Sequence, residues 1–122
     1  MSSIAGVGGD TGNWAYSATK HALIGVVRSL SQDLGAEGIR INAICPGPTR
    51  GTAMSGPVEA LQGGLYSSIR GRLAIGRWGE PDEQAAAMDF LASPEASFIT
   101  GAALHVDGGL LASTGVFPPA HA

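Results

Sequence analysis

The chain has 122 residues, 44% of them hydrophobic and 14% charged, which suits one domain with a single core. A net charge of −3 and a pI near 5.4 leave no basic field for a nucleic-acid backbone. No apolar run approaches the roughly 20 residues of a membrane span, no signal-peptide layout opens the chain, and the lone Cys45 predicts a reducing, cytoplasmic setting.

Taken in chain order, residues 2–5 read as the end of a strand, followed by a loop carrying Gly6, Gly8, Gly9 and Gly12. From Trp14 to about Leu34 the pattern is helical: Ala15, Ala18, Ala22, Leu23, Val26, Val27, Leu30 and Leu34 recur at three- and four-residue spacing. Asn13 is placed to cap its start, and Gly35 to Gly38 to end it. Ile39 to Cys45 then reads as a largely buried strand ending at Pro46.

Gly51 to about Arg77 is rich in Gly and Ser with weak periodicity, an excursion with a short helix near Val58–Leu65. Arg70, Arg72 and Arg77 within it read as solvated rather than as a binding patch. A second helix starts at Pro81, with Asp82 and Glu83 at the positive end of its dipole, and stops at Pro94. A last strand, about Ala102 to Val106, closes on an Asp-Gly-Gly turn. The alternation predicts an α/β fold with a parallel sheet flanked by helices. Residues 112–122 are either a docking arm or a frayed end, and the frayed end is the simpler account.

The glycine loop invites a phosphate-binding role and does not meet its requirements. A dinucleotide loop needs a third glycine where Thr11 stands, and no Gly-Lys-Ser/Thr follows for a phosphate-clamping lysine. A turn at the edge of an active site is the better account, with the chemistry in its flanks.

Lys20, the chain's one lysine, lies four residues after Tyr16, so a helix puts phenol and ammonium on one face. A free phenol titrates near pH 10 and is a poor acid or base at neutrality, whereas a neighbouring cation favours the phenolate. The pair is a sensible acid–base unit, although a packed tyrosine beside a solvated lysine would look the same. Other constellations are weaker. Ser3, His21, His105 and Asp107 lack a nucleophile elbow, and three scattered histidines with one cysteine show no metal-ligand spacing. Cys45 at the end of an apolar strand reads as a small hydrophobe. His21 reads as a helix-surface or pocket residue and Trp14 and Trp78 as packing; Met54, Leu61, Leu65 and Tyr66 are candidate lid residues.

Context strengthens the pair. "YSATK" after a glycine-rich loop, Ser3 thirteen residues before the tyrosine, "INAICPGPTRG" and "FLASPEASFITGAALHVDGG" together resemble the short-chain dehydrogenase/reductase family from Ser2 to about Leu110. The resemblance implies a Rossmann-like doubly wound parallel sheet, NAD or NADP as cofactor, a small alcohol or carbonyl substrate, and a dimer or tetramer. It makes Tyr16 the general acid/base, and gives Lys20 the tasks of favouring the phenolate and hydrogen-bonding the nicotinamide ribose. Ser3 would hold the substrate oxygen, and Pro46, Gly47 and Thr49 would lie against the nicotinamide. A second threonine is common two places after Thr49; Gly51 stands there, with Thr52 next.

The family's opening strand, Gly-x-x-x-Gly-x-Gly loop, cofactor-selecting residue and relay asparagine find no match. Residues 1–111 are therefore expected to be the C-terminal half of such a domain, with 112–122 a tail. The alternative expectation is a truncated, catalytically inactive fragment.

Overall fold

The computed structural model describes residues 1–61 and 63–121. Its elements are α1 (Trp14–Leu34), β1 (Ala43–Pro46), α2 (Gly56–Leu61), α3 (Gly64–Arg72), α4 (Pro81–Ala92) and β2 (Ala103–Val106). Short 3-10 turns cover Ile4–Gly6, Gly35–Glu37, Pro94–Ala96 and Leu110–Ala112. β1 and β2 pair in parallel, from Ala43 beside Ala103 to Pro46 beside Val106. Three helices separate them in sequence, the long connection a parallel pair requires.

Successive residues of β1 bury both faces: Ala43, Ile44 and Cys45 all lie in the core, with Ile24 of α1, Leu91 of α4, Leu73, Trp78 and Ala96. That continuous apolar run marks a strand covered on both sides. None of the described helices is long and apolar enough to cross a membrane.

α1 runs over the span its periodicity predicts. Asn13 sits at its N-cap, but its side chain makes no capping bond. The stop comes at Gly38, whose φ of 78° is the left-handed conformation glycine adopts without strain. α4 also starts as expected at Pro81, where the missing N–H costs nothing. Glu83 reaches back to the backbone N–H of Glu80 at 2.8 Å.

Two strands differ from expectation. β1 begins at Ala43 rather than Ile39, because side chains take the ladder positions before it: Thr100 Oγ1 accepts from the Ile41 N–H at 3.1 Å and Asn42 Oδ1 from the Ala102 N–H. The Arg40 guanidinium donates to the carbonyls of Leu91 (2.8 Å), Ile99 (3.1 Å) and Ser93 (3.1 Å), closing the C-terminal end of α4. Asn42 donates to the Ile99 carbonyl at 2.8 Å and accepts from the Ala102 N–H at 3.0 Å. At the front, the Ser2 N–H donates to the Ile44 carbonyl at 2.9 Å, a single rung on the edge of β1. The chain then tightens into the Ile4–Gly6 turn, so no strand forms over residues 2–5.

Arg77 is not simply solvated. Its guanidinium forks onto Glu83, at 2.6 Å to Oε1 and 2.9 Å to Oε2. That pairing, helped by the Glu80 N–H, holds the Glu83 carboxyl down to about 2 from 4.5. A carboxyl depressed on folding stabilises the fold above its unfolded value and loses that contribution on acidification. The start of α4 is therefore expected to hold at neutral pH and to loosen as pH falls from about 4.5 toward 2. An NMR titration of the Glu83 side-chain carboxyl carbon checks this, and a midpoint at 4.5 would contradict it.

Candidate functional site

The Ser2–Gly6 turn is pinned to α1 at Lys20. Ser2 Oγ donates to the Lys20 carbonyl at 2.9 Å. Gly6 leaves no room for a side chain: a Cβ there would collide with Ser2 Oγ and stand 2.8 Å from the Lys20 carbonyl oxygen. Ser3 lies between these two contacts, its Oγ accepting from the Ala5 N–H at 3.2 Å and so capping the turn. Of the loop's glycines, Gly12 alone has a positive φ, 79°. The loop's role is thus close approach at one end and a sharp bend at the other.

On the same stretch of α1, the Lys20 ammonium lies 5.4 Å from the centre of the Tyr16 ring, within the range of a cation–π contact. Both residues are half-buried. Among the described residues no carboxylate pairs with Lys20. Thr19 and His21 turn their side chains back onto the carbonyls of Tyr16 (2.7 Å) and Ser17 (2.9 Å), which places His21 on the exposed helix surface.

The second half of the site follows β1. The Gly47 N–H donates to the Val106 carbonyl at 3.0 Å, and a Cβ on Gly47 would stand 2.7 Å from Asp107 Cα. Glycine is what lets the loop after β1 lie directly on the turn after β2. Thr49 Oγ1 donates to the Gly47 carbonyl at 3.0 Å, folding Pro46–Thr49 into a compact loop. The Asp107 carboxylate accepts from the N–H groups of Gly109 (2.9 Å) and Leu111 (3.0 Å) and fixes the opposing turn. A groove of about 290 Å³ opens beside the loop, lined in part by Pro48, Leu73, Ile75, Arg77, Gln84 and Asp107. Ser3, Tyr16 and Lys20 are not among its walls.

β1 joins the two halves. Ser2 is bonded to Ile44, two residues before Pro46, and the Cys45 thiol lies against the Ser2 hydroxyl and the Ser3 backbone. Burial pushes that thiol up from its usual range, which fits an apolar packing residue rather than a nucleophile. The serine turn and the Pro46–Thr49 loop gather outside the carboxyl ends of two parallel strands, where open α/β sheets bind their ligands.

Several expectations need correction. Trp14 is 80% exposed and packs on little, whereas Trp78 is buried and stacks on Tyr66 with ring centres 4.9 Å apart. Tyr66 is thus a packing residue rather than a free lid side chain. Met54 and Leu65 are exposed, and the side chain of Leu61 lies outside those described. Thr52 is committed elsewhere: its hydroxyl lies 2.9 Å from Ser55 Oγ and accepts from the Ser55 N–H at 3.0 Å, just before α2. Sequence reasoning missed Ser2 and Gln84 and passed over the loop-fixing role of Asp107. Only Asp107 carried a signal, as the acidic member of an Asp-Gly-Gly turn.

A protein-family model described as enoyl-(acyl carrier protein) reductase matches residues 1–111. The chain belongs to the short-chain dehydrogenase/reductase family. A meso-2,3-butanediol dehydrogenase of Serratia marcescens is 42% identical over 113 residues, which cover 93% of this chain and 43% of that protein. Among solved structures, a candidate 2-deoxy-D-gluconate 3-dehydrogenase from Agrobacterium tumefaciens with bound NADP superposes with a TM-score of 0.87 at 35% identity, covering 92% of this chain and 45% of that one. A 4-hydroxyisoleucine dehydrogenase complexed with NADH superposes with a TM-score of 0.81 at 33% identity, covering 93% and 46%. The chain thus spans less than half the length of these dehydrogenase/reductase relatives. In that light the fold is the Rossmann-like α/β class, represented by a two-stranded stretch of its parallel sheet.

Proposed function

We propose that this short-chain dehydrogenase/reductase chain serves an NAD(P)-dependent oxidoreductase that moves hydride between the nicotinamide and an alcohol or carbonyl carbon. Residues 1–111 are read as the half of the domain that carries the acid–base face and the nicotinamide loop, and 112–122 as a tail. The observation that carries the reading is the pinned arrangement on α1: an ammonium without a carboxylate partner among the described residues, 5.4 Å from the ring of a tyrosine, with the serine turn clamped to the same helical turn.

The donor set fits the nicotinamide-ribose end of such a cofactor. Lys20 offers three N–H donors to ribose hydroxyls, and the Pro46–Thr49 loop offers a backbone surface and a hydroxyl. The cofactor supplies the hydride acceptor or donor. Tyr16 takes a proton from the alcohol oxygen in oxidation, or gives one in reduction, and Lys20 stabilises the phenolate left behind. Ser3 Oγ, which accepts from the Ala5 N–H, would donate its own hydrogen to the substrate oxygen. Gly47 lets the loop lie directly on Asp107, and the loop so fixed would face the nicotinamide ring. Bound NADP and NADH in the two solved relatives support either cofactor. Exposed Leu23, Val26 and Leu30, one stripe along α1, support association into a dimer or tetramer, and the lone, free Cys45 supports a cytoplasmic setting.

Exchanging Lys20 for methionine keeps the apolar stem and removes the charge. Losing charge-assisted bonds worth about 1.5–3 kcal/mol is expected to weaken NAD(P)H binding by roughly 10- to 100-fold. Titration by nicotinamide fluorescence reads this, and unchanged affinity would remove Lys20 from the site.

A further inference from the structure

Gln84 is a buried carboxamide with one half in use and the other idle. It is 9% exposed on the inner face of α4. Nε2 donates to Thr49 Oγ1 at 3.3 Å and to the Val106 carbonyl at 3.0 Å. Oε1 is buried without a partner among the described residues. The amide cannot usefully be turned over, because both neighbours present acceptors: Val106 offers a carbonyl, and the Thr49 hydroxyl already donates to Gly47.

A glutamine that only filled space would be a poor choice here, since a methionine of similar length would fill it without stranding a buried oxygen. What the glutamine adds is a two-pronged donor. One prong holds the loop after β1, the other holds the last residue of β2, and the helix behind them is the common anchor. Thr49 is then caught from both sides, accepting from Gln84 and donating to Gly47, so its hydroxyl has one orientation.

We propose that Gln84 is a positioning residue for the Pro46–Thr49 loop, setting the Thr49 hydroxyl and the loop backbone for the nicotinamide ring. The inference rests on the reading of that loop as the nicotinamide segment. It predicts that removing the two donors weakens nicotinamide binding without weakening the fold, whereas a space-filling role predicts unchanged binding.

The test uses reduced nicotinamide mononucleotide as probe and the backbone amide NMR signals of Gly47 and Thr49 as readout, beside thermal melts. Gln84→Met should melt at or above the parent temperature, and its apparent affinity for the mononucleotide should fall about tenfold. Gln84→Glu gives an independent signature. Its ionised carboxylate presents only acceptors to two acceptors, while the protonated acid regains one donor. Its affinity relative to the parent at the same pH should therefore recover as pH falls. Parent-like binding by Gln84→Met, or a pH profile for Gln84→Glu that follows the parent, would overturn the proposal. If the mononucleotide leaves the parent's loop signals unmoved, the nicotinamide reading fails instead. The clamp is then judged by amide hydrogen exchange at Gly47 and Thr49: faster exchange in Gln84→Met sustains it, and equal exchange refutes it.

Discussion

Replacing Tyr16 with phenylalanine is expected to abolish turnover while leaving cofactor affinity nearly intact. The substitution deletes one hydroxyl and keeps the ring, so the contact with the Lys20 ammonium at 5.4 Å survives, as does the packing of a half-buried position. What is lost, on the proposed reading, is the hydroxyl that would exchange a proton with the substrate oxygen. Positioned acid–base groups contribute typically 10²- to 10⁴-fold, so a drop of at least about that size is predicted in kcat. Cofactor titration should move by less than about threefold, because a neutral aromatic ring still carries the cation. The split matters more than either number. Retained turnover would remove Tyr16 from the chemistry, and a parallel loss of cofactor binding would mean that the helix face had been disturbed.

Exchanging Gly6 for alanine should injure the fold and the site together. The added methyl would collide with Ser2 Oγ and meet the Lys20 carbonyl oxygen at 2.8 Å. The first neighbour could rotate away, but only by giving up its 2.9 Å bond to that same carbonyl. The second is helix backbone and cannot yield, so the turn itself must lift from α1. Overpacking of this kind costs about 1–3 kcal/mol. A lower denaturation midpoint with an unchanged slope would report it. Because Ser3 rides on the turn, turnover of the folded fraction should fall as well. An alanine variant as stable and as active as the parent would show that the turn is not held as described.

These two residues illustrate what the sequence made legible. Tyr16 and Lys20 share a helix, four residues apart, and local periodicity is enough to place them on one face. α1 could be bounded from Trp14 to Leu34 for the same reason, and α4 from the proline that opens it. Gly6 is different. It stood out among the loop glycines only by number, since its necessity comes from a carbonyl on Lys20 that periodicity does not bring near. The same holds for Gln84, whose partner Thr49 is 35 residues away. Arg40 looked like the start of a strand, yet its guanidinium closes a helix end 51 residues on, and the strand begins only after it. Weak periodicity between Gly51 and Arg77 suggested one short helix near Val58–Leu65 where the structure has two, Gly56–Leu61 and Gly64–Arg72, because small residues there give little contrast between faces. Ser3 could be singled out through the family resemblance alone. Its geometry rests on the contacts of its neighbours, Ser2 and Gly6.

On the proposed reading, the Tyr16 face and the Pro46–Thr49 loop serve hydride transfer to or from a nicotinamide cofactor. Isotope transfer tests it even while the natural substrate is unidentified. The protein would be incubated with NADH or NADPH carrying deuterium at the nicotinamide C4 position and a panel of small ketones, diketones and keto sugars. Products would be read by mass spectrometry and NMR. Deuterium is expected on the new carbinol carbon with at least one cofactor, and none above background with Tyr16→Phe. An absence of transfer from both cofactors across the panel, or equal transfer by the Tyr16→Phe protein, would contradict it.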